Sequence, residues 1–593
     1  MTTQGTAPWP LARTVLAAAA VVAAVQLALL ATGNSAVLHG KLFDPDCYLH
    51  LERALRLMTE GSWHGTLDPR LNAPDGAAIH WTALFDMLLA AGAAPLRLFG
   101  LDAHTALYAW GSAISPVLLT GALAVYAWGV RTRVQGLFFL WLVVILFTQP
   151  QFAGAFLTGR PDHQSLVLGL FMVQLAWLTA MFDGRAGPHW ALAAGVTAGV
   201  QMCTSVEALL TILMVSGVLM LAWLVFGVRT LKSFALYLGG CVAAILLWLL
   251  WEEGHFLAEA AYDRVSVVHL AALGSGFVVI AALAVAESYG VLKSRAAQFG
   301  GTAFAFLVAA GVTAAVYPEF FLGPWAHETA VEAVWHKSIA ELQPLLPYDL
   351  RHAGMFLAQY TASLLSLPLI VLGLRRGTPG ERAVMLVGLI GFVLFGALGL
   401  AQMRWTGEMQ AATLLPWVLT TRRIMRSEFG IRLGRTHIPL RSFALSAALL
   451  VQLLAMALTY GTLDYSSPRV AAGCPWRGAI EALNSTVPPR SIVMTQLWQG
   501  PEILWRTKLR VIAGPYEIPG ALKDTYAFLE GSERTAHAIA RRRGVDYVLV
   551  CKHQSGRKGF ERALASGAAP GWLQPMPLPD SAEAFRLYRV KKN

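Results

Sequence analysis

The chain has 593 residues, 56% of them hydrophobic and only 14% charged, with a net charge of +11. So apolar a composition excludes an ordinary soluble globular protein and reads as a polytopic membrane protein. The positive charge does not point to nucleic acid, because the basic residues gather in short loops between apolar segments, where they report topology.

Segments long enough to cross a hydrocarbon layer of roughly 30 Å begin at Val15, Thr105, Gly136, Leu166, Trp190, Ala208, Phe234, Val267, Ala303, Met355, Ala383, Thr406 and Phe443. The first, Val15 to Thr32, exceeds a signal-peptide core and is flanked by one basic residue, Arg13, so it reads as a retained span. A further stretch, Thr82 to Gly100, is ambiguous because it contains Asp86, Pro95 and Arg97. Laid along the membrane surface, it lets the loops carrying Arg131, Arg185, Arg229, Lys293, Arg375 and Arg422 share one face, which the positive-inside rule makes cytoplasmic. The expectation is a polytopic α-helical protein with about thirteen spans in a bacterial-type plasma (inner) membrane. Its N-terminus is then cytoplasmic and its C-terminal domain periplasmic. Asp44, Asp46, Asp162, Glu207, Asp263, Glu319 and Glu341 all fall on the outer face.

The predicted membrane domain covers 1–465, with a first external loop over 33–104 that carries juxtamembrane helices and a later one over 318–354. Residues 466–593 change texture to an extracytoplasmic α/β domain. There the β-rich runs "SIVMTQ", "RVIAGP", "DYVLVC" and "RLYRV" alternate with helical patterns such as "LKDTYAFLEG" and "ERTAHAIARRRG". Cys474 and Cys551 lie in this domain, and the sequence leaves open whether they pair. Cys47, Cys203 and Cys241 have no zinc-site spacing. The chain shows no Walker loop, dinucleotide fingerprint or internal repeat, so nothing in it supports ATP-driven transport.

Four short motifs could carry chemistry. "FDPD" places Asp44 and Asp46 just after the first span, as a helix N-cap or as oxygen ligands for a hard divalent cation. "GRPDHQ" puts Asp162 and His163 at the outer end of a span, again a cap or a ligand pair. "SIAELQP" carries Glu341, either a solvated glutamate or a third carboxylate. "MRWTGE" places Arg404 at the membrane boundary, where an anionic partner is expected: a lipid phosphate, or Glu408 one turn on.

In this order, with "VMTQLWQGPEILWRTKLRVIAG" opening the C-terminal domain, these motifs resemble the catalytic subunit of oligosaccharyltransferase along essentially the whole chain. The resemblance implies a GT-C fold, a polyprenyl-linked sugar donor and a divalent cation, Mg²⁺ or Mn²⁺. It implies that Asp44 binds metal and contacts the acceptor, that Asp162 and Glu341 are metal ligands, and that Arg404 grips the donor diphosphate. Two departures stand out. The family's second acidic motif continues to another carboxylate two residues on, where this chain has Gln164, which leaves His163 or Asp46 to complete the shell or the metal site weaker. The sequon-reading Trp-Trp-Asp-Tyr-Gly motif is replaced by "QLWQG", so Gln496, Trp498, Gln499 and Gly500 become the acceptor-binding candidates without a peptide-reading aspartate.

The sequence therefore favours a metal-dependent membrane glycosyltransferase acting on the outer face, with Asp44 or Asp46 orienting or deprotonating the acceptor. The acceptor is a lipid, a glycan or a protein site other than Asn-x-Ser/Thr. A transporter or flippase of lipid-linked glycan is the alternative, and a membrane scaffold whose acidic loops only cap helices is the plainest one.

Overall fold

The computed structural model describes residues 9–33, 35–61, 67–184, 187–228, 230–252, 259–323, 329–426, 430–433, 436–439, 443, 446–447, 449–454, 457, 474–553 and 558–592. Among the described residues, sixteen helices with defined bounds precede the C-terminal domain: α1 (Leu11–Ala31), α2 (Pro45–Glu60), α3 (Leu84–Leu98), α4 (Ala103–Val130), α5 (Leu137–Phe147), α6 (Pro150–Gly154), α7 (His163–Phe182), α8 (His189–Thr204), α9 (Ala208–Phe226), α10 (Leu231–Glu252), α11 (Val267–Ser288), α12 (Arg295–Val316), α13 (Ala330–His336), α14 (Leu350–Arg376), α15 (Pro379–Ala401) and α16 (Thr406–Arg426).

Among the described residues nine of these, α1, α4, α7, α9, α10, α11, α12, α14 and α15, are long and apolar enough to cross a membrane. All nine coincide with predicted segments. The segments predicted at Gly136 and Trp190 are shorter, 11 residues in α5 and 16 in α8. The one predicted at Thr406 forms the 21-residue α16. The last, from Phe443, and the boundary at 465/466 lie largely outside the described residues. The ambiguous stretch forms α3, whose 15 residues span about 22 Å at 1.5 Å per residue, short of a hydrocarbon crossing.

Close helix packing rests on small residues. A Cβ on Gly195 of α8 would lie 1.9 Å from the Tyr237 carbonyl oxygen of α10, so only glycine lets these two helices touch. Between α5 and α6 the helix breaks at Gln149-Pro150, where proline cannot donate to the ladder. Glutamines from other helices repair the break. Gln410 accepts from the Phe152 amide at 3.1 Å and donates to Gln359 Oε1 at 2.7 Å, and Gln359 Oε1 also accepts from the Gln151 amide. Gln452 donates to the Thr148 carbonyl at 2.7 Å. Irregular backbone at this depth persists only where such partners exist.

Arginines collect at one end of the bundle. Arg133 pairs with Asp183 at 2.5 Å, Arg422 donates to the Arg133 carbonyl, and Arg382 donates to the Arg375 carbonyl. The acidic loops and the C-terminal domain occupy the other end.

A short antiparallel hairpin, β1 (Gly430–Leu433) and β2 (Thr436–Pro439), follows α16. The C-terminal domain is built on β3 (Ile492–Met494), β4 (Arg510–Val511), β5 (Tyr547–Cys551), β6 (Leu573–Met576) and β7 (Phe585–Val590), in the order β4-β3-β5-β7-β6. β4, β3 and β5 run parallel, and β7 and β6 are antiparallel. The four predicted β-rich runs form β3, β4, β5 and β7. β6 escaped sequence reading because Leu-Gln-Pro-Met carries a proline, which an edge strand tolerates. The outer edge of β4 is covered by the first loop: Val511 donates to the Arg70 carbonyl at 2.7 Å and accepts from the Ala73 amide at 3.0 Å. Arg543 ties the same loop down through Asp75 and Asn72.

Cys474 and Cys551 form a disulfide that closes a 77-residue separation, while Cys47, Cys203 and Cys241 are free and buried. Denatured but unreduced protein is expected to take up three equivalents of alkylating reagent by intact mass, and five only after reduction. Replacing Cys551 with serine should lower stability by about 2–5 kcal/mol, read by thermal unfolding in detergent.

Candidate functional site

α2 and α7 begin in the same way. Asp44 is the N-cap of α2, its Oδ1 accepting from the Cys47 amide at 3.1 Å, with Pro45 in the first turn. Asp162 is the N-cap of α7, its Oδ1 accepting from the Gln164 amide at 3.0 Å. Each carboxylate satisfies an orphan helix donor and has its second oxygen left for something else. That something is Arg160, whose Nε lies 3.3 Å from Asp44 Oδ2 and whose Nη2 lies 3.2 Å from Asp162 Oδ2. Both aspartates are therefore helix caps that also pair with one buried arginine.

From this pair the site extends through hydrogen bonds. Arg160 also donates to Gln164 Oε1 at 3.1 Å, and Gln164 Nε2 donates to Glu341 at 3.2 Å. The residue standing where a carboxylate was expected thus bridges to the third carboxylate. His163 Nδ1 lies 3.1 Å from Asp162 Oδ1 and 3.0 Å from His50 Nε2. Arg404 pairs with Glu207 at 2.6 Å, a protein partner other than Glu408, which was one of the two anionic partners expected for it beside a lipid phosphate.

Asp44, Asp46, Asp162, His163, Gln164, Glu207, Glu341, Arg160, Arg404 and Trp498 line one cavity of about 590 Å³ at the acidic end of the bundle. The same cavity is lined by His80, Asp263, Tyr516 and Glu517. Of the four acceptor-binding candidates only Trp498 reaches it. Gln496 donates to Glu561 at 2.6 Å inside the C-terminal domain. Gln499 is buried, and a Cβ on Gly500 would meet the Ala513 carbonyl oxygen at 2.1 Å.

Charge in the cavity is unevenly compensated. Burial pushes Asp44 up, against the pull of Arg160. Burial also acts on Asp162, but His163 and Arg160 outweigh it and hold that carboxyl well below the usual range. Asp46 makes no hydrogen bond or ion pair among the described residues. Burial pushes it well above the usual carboxylate range, and the charges of Asp44, Asp162 and Glu341 add to the effect. An excess of carboxylates over cations, with one carboxylate unpaired, is a donor set that suits a divalent cation.

Among the described residues two groups bring three metal-ligating atoms within 4.8 Å of one another: His50 with Asp162 and His163, and His80 with Asp263 and Glu517. Asp44, Asp46 and Glu341 share the cavity but belong to neither group. His50, Asp86, Arg160 and Glu207 are the site members that motif reading passed over. The available signals were a buried-face histidine one turn after Asp46, a lone aspartate in an apolar stretch, and an arginine inside "GRPDHQ".

No family model matches the chain, and no curated protein matches it by sequence. Solved structures do. An archaeal oligosaccharyltransferase, AglB from Archaeoglobus fulgidus, in complex with an inhibitory peptide and a dolichol-phosphate, superposes with TM-score 0.70 at 15% identity, covering 91% of this chain and 69% of that one. The Archaeoglobus fulgidus oligosaccharyltransferase in complex with Zn and sulfate gives TM-score 0.63 at 15% identity, over 91% and 68% of the two chains. The same enzyme tethered to an acceptor peptide containing the NVT sequon gives 0.64 at 15%, over 86% and 65%. The fold is accordingly the GT-C membrane fold with a C-terminal α/β domain.

The uncompensated carboxylate has a measurable signature. Because the folded protein carries Asp46 with a raised pKa, its ionisation destabilises the fold above that pKa, and the penalty vanishes as pH falls through it. In chelator, Asp46→Asn is expected to unfold at higher temperature than wild type at pH 8, with the difference shrinking towards pH 5. A constant difference across that range would show that Asp46 is not the strained charge.

Proposed function

We propose that this chain is a divergent member of the oligosaccharyltransferase catalytic-subunit family. On this reading it moves a sugar or oligosaccharide from a polyprenyl phosphate or diphosphate donor to an acceptor on the extracytoplasmic face. The observation that carries it is the convergence of Asp44, Asp46, Asp162, His163, Glu341 and Arg404, from four separate chain segments, on one cavity. A fold shared with a known transferase of lipid-linked glycan agrees with it.

Each group has a role that its geometry suits. Arg404 is fixed by Glu207 on the cavity wall, where its charge faces an incoming phosphate. Arg160 holds the N-caps of α2 and α7 in register and adds a second positive charge beside the leaving group. Asp162 and His163, with Asp44 and Glu341 on the same cavity, would hold a divalent cation. Once bound, that ion supplies Lewis-acid stabilisation of charge on the departing phosphate. Asp46 has no competing hydrogen bond and a raised pKa, which suits a group that orients the acceptor nucleophile and takes its proton.

The acceptor side supports a partner other than a sequon. Only Trp498 of the "QLWQG" segment faces the cavity, and no aspartate stands there to accept from a sequon hydroxyl. The disulfide between Cys474 and Cys551 favours an oxidising compartment for the C-terminal domain, in keeping with an extracytoplasmic site.

With purified protein, a lipid-linked sugar and Mn²⁺, Asp44→Ala and Asp46→Asn should each lower turnover by on the order of 10²–10³-fold, the scale on which preorganised electrostatic groups act. Arg404→Leu should lose a similar factor. Equal turnover in wild type and Asp44→Ala would overturn the assignment of Asp44. An Asn-x-Thr peptide should give no glycopeptide by mass spectrometry under conditions where lipid-linked sugar is consumed.

A further inference from the structure

The cluster of His50, Asp162 and His163 is more completely built than a chance meeting of side chains. His50 is 1% exposed and Asp86 2%. Asp86 Oδ1 lies 2.7 Å from His50 Nδ1, and its other oxygen accepts from Arg53 Nε at 2.7 Å. Arg53 in turn donates to the carbonyls of Trp81 and Thr82 at 3.0 and 3.1 Å. Trp81 stacks on the His50 ring, with centroids 4.5 Å apart and planes 16° from parallel. A carboxylate can only accept, so Nδ1 of His50 carries its proton and the lone pair sits on Nε2, aimed at His163.

His163 Nδ1 then faces two acceptors, one of which, Asp162 Oδ1, already accepts from the Gln164 amide. One N–H on His163 Nδ1 cannot serve both the Asp162 oxygen at 3.1 Å and His50 Nε2 at 3.0 Å. A cation satisfies all three donor atoms at once. For metal–ligand bonds of about 2.1 Å, neighbouring ligands at right angles sit about 3.0 Å apart, the spacing that His163 Nδ1 already keeps from the other two atoms. The carboxylate–histidine pair behind the ligand is the arrangement that fixes ring orientation at metal centres.

We propose that His50 is a metal ligand: its Nε2, His163 Nδ1 and an Asp162 oxygen hold one transition-metal dication, and Asp86 is the residue that positions His50. This rests on the reading that the cavity holds a divalent cation, and it names the class. Two imidazoles and a carboxylate select Zn²⁺, Mn²⁺ or Co²⁺ over Mg²⁺, which prefers oxygen ligands alone. Asp44, paired with Arg160, and Glu341, bonded to Gln164, line the same cavity and are left to complete the coordination.

The test begins on wild-type protein, stripped with chelator in detergent and loaded with one equivalent of Mn²⁺, so it does not depend on any variant folding. Electron spin-echo envelope modulation should show two coordinated imidazole nitrogens; one or none overturns the proposal. In zinc titrations His50→Gln should bind at least 30-fold more weakly than wild type, and Asp86→Asn roughly 10–100-fold more weakly. Mg²⁺ binding should change little in either. Wild-type zinc affinity in a His50→Gln protein of wild-type thermal stability also overturns it. Two imidazole nitrogens in a protein that transfers no sugar would leave the ligands standing and defeat the transferase reading. Metal-dependent transfer with one imidazole would do the reverse.

Discussion

A single guanidinium between two helix-capping carboxylates organises the acidic end of this molecule. Arg160 reaches Asp44 at the start of α2 and Asp162 at the start of α7, and through Gln164 it reaches Glu341 in a loop some 180 residues on. Buried like charges repel strongly, so the cavity exists only because cationic groups are interleaved with its carboxylates. Arg160 does this beside Asp44 and Asp162, and Arg404 does it beside Glu207. The pairing leaves Asp46 uncompensated, and that imbalance is the chemical potential the site has to work with.

Much of this was legible in the sequence, and the limits of legibility have physical causes. Asp44, Asp162, Glu341 and Arg404 could be chosen because charges at span boundaries stand out against an apolar background. Their partners could not, since pairing is set by tertiary approach: Arg404 finds Glu207, 197 residues away, in preference to Glu408 one turn away. His50 looked like one more residue on an amphipathic helix, and Asp86 like an oddity in an ambiguous stretch. Only their 2.7 Å contact gives either a meaning. Span counting worked where hydrophobic runs were unbroken and weakened at α5, where Pro150 ends the helix after 11 residues.

The glutamines around that break are a second device the sequence conceals. Gln359, Gln410 and Gln452 lie in three different apolar segments, and each would be read alone as a tolerated polar residue. Together they satisfy the backbone where α5 gives way to α6, and so place Gln151, Gly154 and Leu157 on the cavity wall. Uncharged amides suit the task, since they donate and accept without adding to the cavity's charge.

The clasp between the first loop and the C-terminal sheet has a consequence for biogenesis. Arg510 reaches back 441 residues to the Pro69 carbonyl, and Val511 exchanges backbone hydrogen bonds with the segment around Arg70 and Ala73. A ribosome makes that loop 441 residues before it reaches β4. The wall of the cavity that Trp81 and Tyr516 complete is therefore assembled last, after every described helix of the membrane domain has been made. A nascent chain therefore carries the acidic residues of its first loop through the synthesis of the 441 residues that separate Pro69 from Arg510 before the sheet edge that encloses the cavity exists.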